Sequence, residues 1–330
     1  IFKTSTLESV SMSIDSTRGR IYSFTMHSGA DLMQGMVAAI AGAPNVVAES
    51  KMVVAQNAKT GARLWEVTVN IDVSSILADS DRGNVFIGSS EGRVAYWDGS
   101  SGSELWYVSG VGEVTRLIAD TCLQLVFCVH DPRGPDEPDA AVCLVAVSIQ
   151  QGQKVWECEK VEDRSTCDAA VDTSRKRLYT IGHDALVAYD SNTGKVIWSH
   201  RDCFSNYQRP CISVDKSSGR VHAGVEGGVT TWDSSGTQLW EGRTDSPTTV
   251  TAVAVDDTHG LVFAGEWAGS SYDIFLRCWQ GATGELLWKE QMSSREAAAL
   301  LYEPSADLIV CGDDSGALVA VSPSTGRRAW

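Results

Sequence analysis

Short apolar runs of four to six residues, broken by turns rich in Gly, Asp and Ser, fill the chain from end to end. Between residues 168 and 198 they read Asp168-Ala-Ala-Val171, Leu178-Tyr-Thr-Ile181, Leu186-Val-Ala-Tyr189 and Val196-Ile-Trp198. Asp172-Thr-Ser-Arg-Lys176, Gly182-His-Asp and Asp190-Ser-Asn-Thr-Gly194 separate them. Runs rich in β-branched and aromatic side chains with such punctuation predict four strands, A to D, joined by hairpin turns.

The same unit recurs. Gly lies four residues before Trp at Gly61/Trp65, Gly102/Trp106, Gly152/Trp156, Gly194/Trp198, Gly236/Trp240, Gly284/Trp288 and Gly326/Trp330. The tryptophans are 41, 50, 42, 42, 48 and 42 residues apart, a period of propeller blades or helical arrays. The A–B turn decides between them. It returns as Asp15-Ser-Thr-Arg-Gly19, Asp79-Ser-Asp-Arg-Gly83, Asp215-Lys-Ser-Ser-Gly219 and Asp256-Asp-Thr-His-Gly260. An Asp can bond its own backbone two residues on, and Gly accepts the positive φ that closes such a turn. Antiparallel sheets repeated seven times leave exposed edges unless they are arranged radially. The expectation is an all-β, seven-bladed β-propeller of four-stranded antiparallel blades. It forms a single domain over 1–330, with the N-terminal residues completing the last blade.

Composition narrows the function. A chain with 43% hydrophobic and 21% charged residues can bury a full core, and its net charge of −15 repels phosphate backbones and anionic membranes. No nucleic acid is expected as a partner. No membrane insertion is expected either, since no apolar run reaches the roughly 18 residues of a span. The start, Ile1-Phe2-Lys3-Thr4, lacks the apolar core of a signal peptide. Nine cysteines with no adjacent pair and no Cys-x-x-Cys read as small buried hydrophobes in a reducing, cytoplasmic setting.

The repeat also carries a resemblance. Ala188-x-Asp190-x-x-Thr193-Gly194-x-x-x-Trp198 resembles the tryptophan-docking motif of quinoprotein-like propellers, the PQQ-like repeat family. Ala55-x-Asn57-x-x-Thr60-Gly61-x-x-x-Trp65 and Ala320-x-Ser322-x-x-Thr325-Gly326-x-x-x-Trp330 match it but for the Asp. The resemblance implies that Trp65, Trp106, Trp156, Trp198, Trp240, Trp288 and Trp330 pack between neighbouring blades. The family includes alcohol dehydrogenases, outer-membrane assembly scaffolds and interaction domains. Its enzymes are generally eight-bladed and hold their quinone with adjacent cysteines and a carboxylate-bound calcium. This chain has seven units and no Cys-Cys, so the non-catalytic branch is expected, with no cofactor and no metal. Trp97-Asp98 and Trp232-Asp233 resemble the WD-repeat dipeptide, but its accompanying Gly-His is missing.

Three units carry insertions, near His27–Ser50, Asp131–Ala140 and Glu266–Asp273, each between strands B and C. In an antiparallel blade the B–C loops and D–A connections leave at one end, the A–B and C–D turns at the other. Binding residues concentrate on loops held by a rigid frame, so the B–C/D–A loop face is the expected docking surface. Its candidates are Met33 and Met36 in a short helical insertion, and Trp267 with Tyr272 as an aromatic anchor. The long D–A connection 199–210 adds His200, Arg201, Phe204, Tyr207 and Arg209. A hairpin extension, rings folded back on the blade and a plain surface loop are the respective alternatives. A protein-interaction scaffold, as a subunit of a larger assembly, is the leading reading. A quinone-dependent dehydrogenase and glycan or small-ligand binding in the channel are the alternatives. Among the six histidines, His183 and His222 are placed after strand B at the channel mouth, where a composite site could form.

Overall fold

A computed structural model describes residues 8–27, 50–130, 143–158, 166–182, 185–201, 210–244, 248–267, 274–292, 297–304, 306–313 and 318–329. They form 27 strands in seven antiparallel sheets, and no helix occurs among them. The strands fall into two units, β1–β12 and β13–β27.

In the first unit the sheets are β1 (Glu8–Asp15), β2 (Arg20–His27), β3 (Ser50–Asn57) and β4 (Arg63–Val69); β5 (Val73–Asp79), β6 (Asn84–Ser89), β7 (Arg93–Trp97) and β8 (Glu104–Ser109); and β9 (Val114–Asp120), β10 (Leu125–His130), β11 (Cys143–Ser148) and β12 (Lys154–Glu157). The second unit opens with β13 (Thr166–Asp172), β14 (Arg177–Gly182), β15 (Ala185–Asp190) and β16 (Val196–Arg201), then β17 (Cys211–Asp215), β18 (Arg220–Val225), β19 (Gly228–Trp232) and β20 (Gln238–Arg243). It continues with β21 (Thr249–Asp256), β22 (Leu261–Trp267), β23 (Ile274–Gln280) and β24 (Leu286–Gln291), and closes with β25 (Ala297–Glu303), β26 (Leu308–Asp313) and β27 (Leu318–Val321). In the seventh sheet a bridge from Val321 to Arg328 stands where strand D runs elsewhere. This is a seven-bladed β-propeller. The residues expected to complete its last blade, 1–7 and Trp330, lie outside the described residues.

The hydrophobic core sits between consecutive sheets. Tyr22, Phe24 and Val53 of the first blade pack with Ile76, Val85, Ile87 and Trp97 of the second, and Tyr179, Ile181 and Leu186 of the fourth with Val214, Val221 and Trp232 of the fifth. Five of the tryptophans complete seams of this kind. Trp65 Nε1 donates to Gly99 O (3.0 Å), Trp106 to Ile149 O (2.8 Å) and Trp198 to Ser234 O (3.1 Å). Trp240 donates to Gly281 O (2.9 Å) and Trp288 to Pro323 O (2.8 Å). Every acceptor is in the C–D turn of the following blade.

The geometry explains the paired Gly. A Cβ on Gly102 would stand 2.9 Å from the Trp65 ring, one on Gly284 2.7 Å from Trp240 and one on Gly326 2.7 Å from Trp288, at φ of 73°, 74° and 70°. Each Gly therefore receives the preceding blade's Trp while closing its own turn. A β-bulge sets the ring's direction. Opposite β15, Ala188 pairs with Trp198 and Tyr189 with Val196, so Ile197 is skipped. The same shift skips Leu64, Leu105, Val155, Leu239 and Leu287. All six skipped residues are turned outward, 41–53% exposed.

Candidate functional site

Within each complete blade, the strand order places the B–C loop and the end of strand D together, opposite the A–B and C–D turns. The three insertions do separate B from C strands, β2 from β3, β10 from β11 and β22 from β23. Their boundaries shift. Glu266 and Trp267 belong to β22, and Trp267 ends it with its backbone opposite Thr249 and Ile274. Ser199, His200 and Arg201 are likewise the end of β16 rather than loop. Arg201 is exposed there, opposite Ala185. Met33, Met36, Phe204, Tyr207, Arg209 and Tyr272 lie outside the described residues, as does His183.

Two histidines take places other than those expected. His200 is a second docking residue: Nε2 lies 2.6 Å from Gly236 O, and the ring sits 5.3 Å from Trp198 and 5.8 Å from Trp232. Strand alternation puts it on the same face as Trp198, which turns it into the seam. His222 lies inside β18, not after it, and is fully buried with Nδ1 2.8 Å from Thr231 Oγ1 and its ring 5.8 Å from Trp240. Thr231 is buried as well, so this hydroxyl–imidazole pair meets no substrate.

Burial pushes the His222 imidazole down to about 3. Its folded value thus lies below its unfolded one of 6.5, and the stability it contributes is present above pH 6.5 and lost as pH falls toward 3. Between pH 7 and pH 5 the expected loss is about 2 kcal/mol. His222→Gln should flatten that slope in urea titrations at the two pH values. An unchanged slope would show that His222 charges freely in the folded protein.

Toward the B–C end of β22 and β23 is a feature that residue spacing does not announce. Glu266 and Arg277, on paired strands β22 and β23, are 0% and 1% exposed and form an ion pair. Thr248 Oγ1 donates to Glu266 Oε2 at 3.2 Å. Burial raises the Glu266 carboxyl above its ordinary value, and the Arg277 charge opposes that shift. Such a pair loses most of its Coulomb gain to desolvation, so it contributes more to defining the local arrangement than to stability. The signal was an Arg within the apolar run Ile274-Phe-Leu-Arg-Cys-Trp279.

The opposite end of the blades is occupied by their own turns. Asp15, Asp79, Asp120, Asp172, Asp215 and Asp256 are all buried. In three blades the residue three positions on is an Arg that bonds its Asp and reaches the next blade. Arg175 Nη1 donates to Asp172 Oδ2 (3.0 Å) and Lys216 O (3.0 Å), and Nη2 to Ser217 O (3.0 Å). Arg18 donates to Asp15 Oδ2 (3.5 Å) and Ser80 O (2.6 Å), and Arg82 to Asp79 Oδ2 (2.9 Å) and Gln124 Oε1. The C–D turns are equally self-contained. Hydrogen bonds from Ser100 and Ser101 hold the Asp98 carboxyl down at about 2. Burial pushes the thiols of Cys128, in β10, and Cys278, in β23, up to about 12, so neither is a ready nucleophile.

Known proteins carry the same architecture. The family model described as "Outer membrane protein assembly factor BamB" matches residues 49–132, 138–206 and 214–330. A quinohemoprotein alcohol dehydrogenase, ADH IIB of Pseudomonas putida, is 24% identical over 226 residues, 57% of this chain and 30% of that protein. The chain therefore spans under a third of that relative. Among solved structures, Saccharomyces cerevisiae Sqt1 superposes with a TM-score of 0.73 at 12% identity, covering 100% of this chain and 86% of that one. BamB from Moraxella catarrhalis superposes at 0.61 with 14% identity, covering 94% and 82%. At these identities the superpositions speak for the fold, while the family model spans most of the repeats. The chain belongs to the BamB-type family of PQQ-like repeat propellers.

Proposed function

We propose that this propeller is a non-catalytic protein-interaction scaffold that docks a partner on its B–C/D–A loop face, as a subunit of a larger assembly. One observation carries the reading. The A–B and C–D turns are tight and spend their polar groups on themselves and on the next blade, whereas the longer connections, 28–49, 131–142, 158–165, 202–209 and 268–273, all follow a B or a D strand and so leave from the other end of the blade. Elaborated loops on an invariant frame are where binding residues accumulate. Arg201 at the end of β16 and Arg209 in the connection that follows it are cations in a protein with net charge −15, which favours a partner with an acidic contact surface. The reading includes a reducing, cytoplasmic location, which rests on the nine cysteines. No helix among the described residues is long and apolar enough to cross a membrane.

A quinone-dependent dehydrogenase has the Pseudomonas putida match in its favour. The residues do not fit the cofactor. Adjacent cysteines are absent, and the buried carboxylates among the described residues are committed to A–B turns or to Arg277. Added quinone and calcium should therefore leave the visible spectrum and Tm unchanged. Channel binding of a glycan rests on Trp267 and Tyr272 alone.

The scaffold reading is tested by affinity capture of the tagged chain from its native source. A reproducible partner should be retained by the parent chain and lost on Arg201→Glu with Arg209→Glu, or on deletion of residues 31–41. A partner set that survives both changes would put the docking surface elsewhere.

A further inference from the structure

The sixth and seventh blades depart from the Asp–Arg clamp in two places at once. Where the clamp is complete, the cationic group three residues after the buried Asp meets the residue at the next blade's turn-closing position: Arg18 meets Gly83, Arg82 meets Gln124 and Arg175 meets Gly219. In the sixth blade the Arg position holds His259. The facing position in the seventh blade holds Asp307, a non-Gly residue at φ 50°. A site that three times holds a guanidinium against one carboxylate here holds an imidazole between two.

The donor atoms converge. His259 Nδ1 lies 2.6 Å from Asp256 Oδ2, and one ligand atom from each of Asp256, His259 and Asp307 falls within 4.8 Å of the others. Their orientation is held from behind. Asp256 Oδ1 accepts Thr258 N (2.8 Å) and His259 N (3.1 Å), leaving Oδ2 toward the imidazole. Tyr302 Oη donates to Asp307 Oδ1 at 3.1 Å. Supporting hydrogen bonds of this kind fix the ligands of metal sites. Asp256 is fully buried while the His259 side chain is 57% exposed, so a bound ion would keep a solvent-facing side for water ligands.

We propose that Asp256, His259 and Asp307 form a site for a divalent transition-metal ion of the zinc class, which joins the sixth and seventh blades as the guanidiniums of Arg18, Arg82 and Arg175 join three other pairs of blades. The imidazole selects the metal class. Calcium and magnesium take oxygen ligands, whereas one nitrogen with two carboxylates suits zinc and its first-row neighbours. The site is independent of the scaffold reading, because it lies on the A–B turns.

The test uses the full chain, freed of metal with a chelator and titrated calorimetrically with zinc alone. One ion per chain should bind at micromolar concentration and raise Tm, with no such rise from calcium or magnesium. His259→Ala and Asp307→Asn should each weaken that binding at least ~10-fold, since even a supporting residue of a metal site is worth that much. Both positions are exposed, so neither variant threatens folding. His259→Arg should also abolish zinc binding, yet reach the Tm of the zinc-loaded parent by restoring the clamp. Absence of saturable zinc binding, or zinc binding of equal affinity in His259→Ala and Asp307→Asn, would overturn the proposal. So would a preference for calcium.

Discussion

Trp198→Ala is expected to destabilise the protein by about 3–5 kcal/mol, the range for a deleted core aromatic. The indole closes the seam between the fourth and fifth blades, donates to Ser234 O at 3.1 Å and rests where a Cβ on Gly236 would come within 2.9 Å of it. Nothing behind it can collapse into the space, because Tyr179 and Trp232 are held by their own sheets. Trp198→Phe keeps most of the area and loses the hydrogen bond, so it should cost about 1–2 kcal/mol. Urea titration measures both. A loss below about 1 kcal/mol for the alanine variant would remove the ring from its docking role.

Arg277→Met carries the second large effect. It leaves the Glu266 carboxylate buried with the Thr248 hydroxyl as its remaining hydrogen-bond donor among the described residues, and breaking one side of a buried ion pair typically costs about 3–5 kcal/mol. Removing both charges, in Glu266→Leu with Arg277→Met, should recover most of that loss, because neither desolvation cost remains. A double variant as unstable as the single one would mean that the loss comes from packing and not from charge.

The architecture was legible because its signals are local. Gly and Trp four residues apart, and Asp followed by a Gly that closes the turn, are read within a few positions, and in the first six blades both motifs mark strand ends where they occur. The clamp was not legible, since Arg18 and Ser80 are 62 residues apart and an Arg in a turn looks solvated. Glu266 was read as loop for a related reason. A charged residue ends an apolar run in sequence, and only its pairing with Arg277 across the strands lets β22 continue through it. His200 was read as a contact because it stands at the start of a long connection, whereas alternation along β16 had already assigned it to the seam. Of the expected docking residues, Arg201 and the backbone of Trp267 can be placed, and they belong to the second unit, at the ends of different blades.

The bulge in strand D has a bearing on how copies of this protein behave toward each other. Strand D is the outer edge of each complete blade, and a regular outer edge offers unpaired amides and carbonyls to any extended chain that meets it. Skipping Leu64, Leu105, Val155, Ile197, Leu239 and Leu287 bends each edge in mid-strand, so a second strand cannot run alongside it in register. The device that aims a Trp at its neighbour within the molecule thus also makes each of these edges a poor template for an extended chain from outside it.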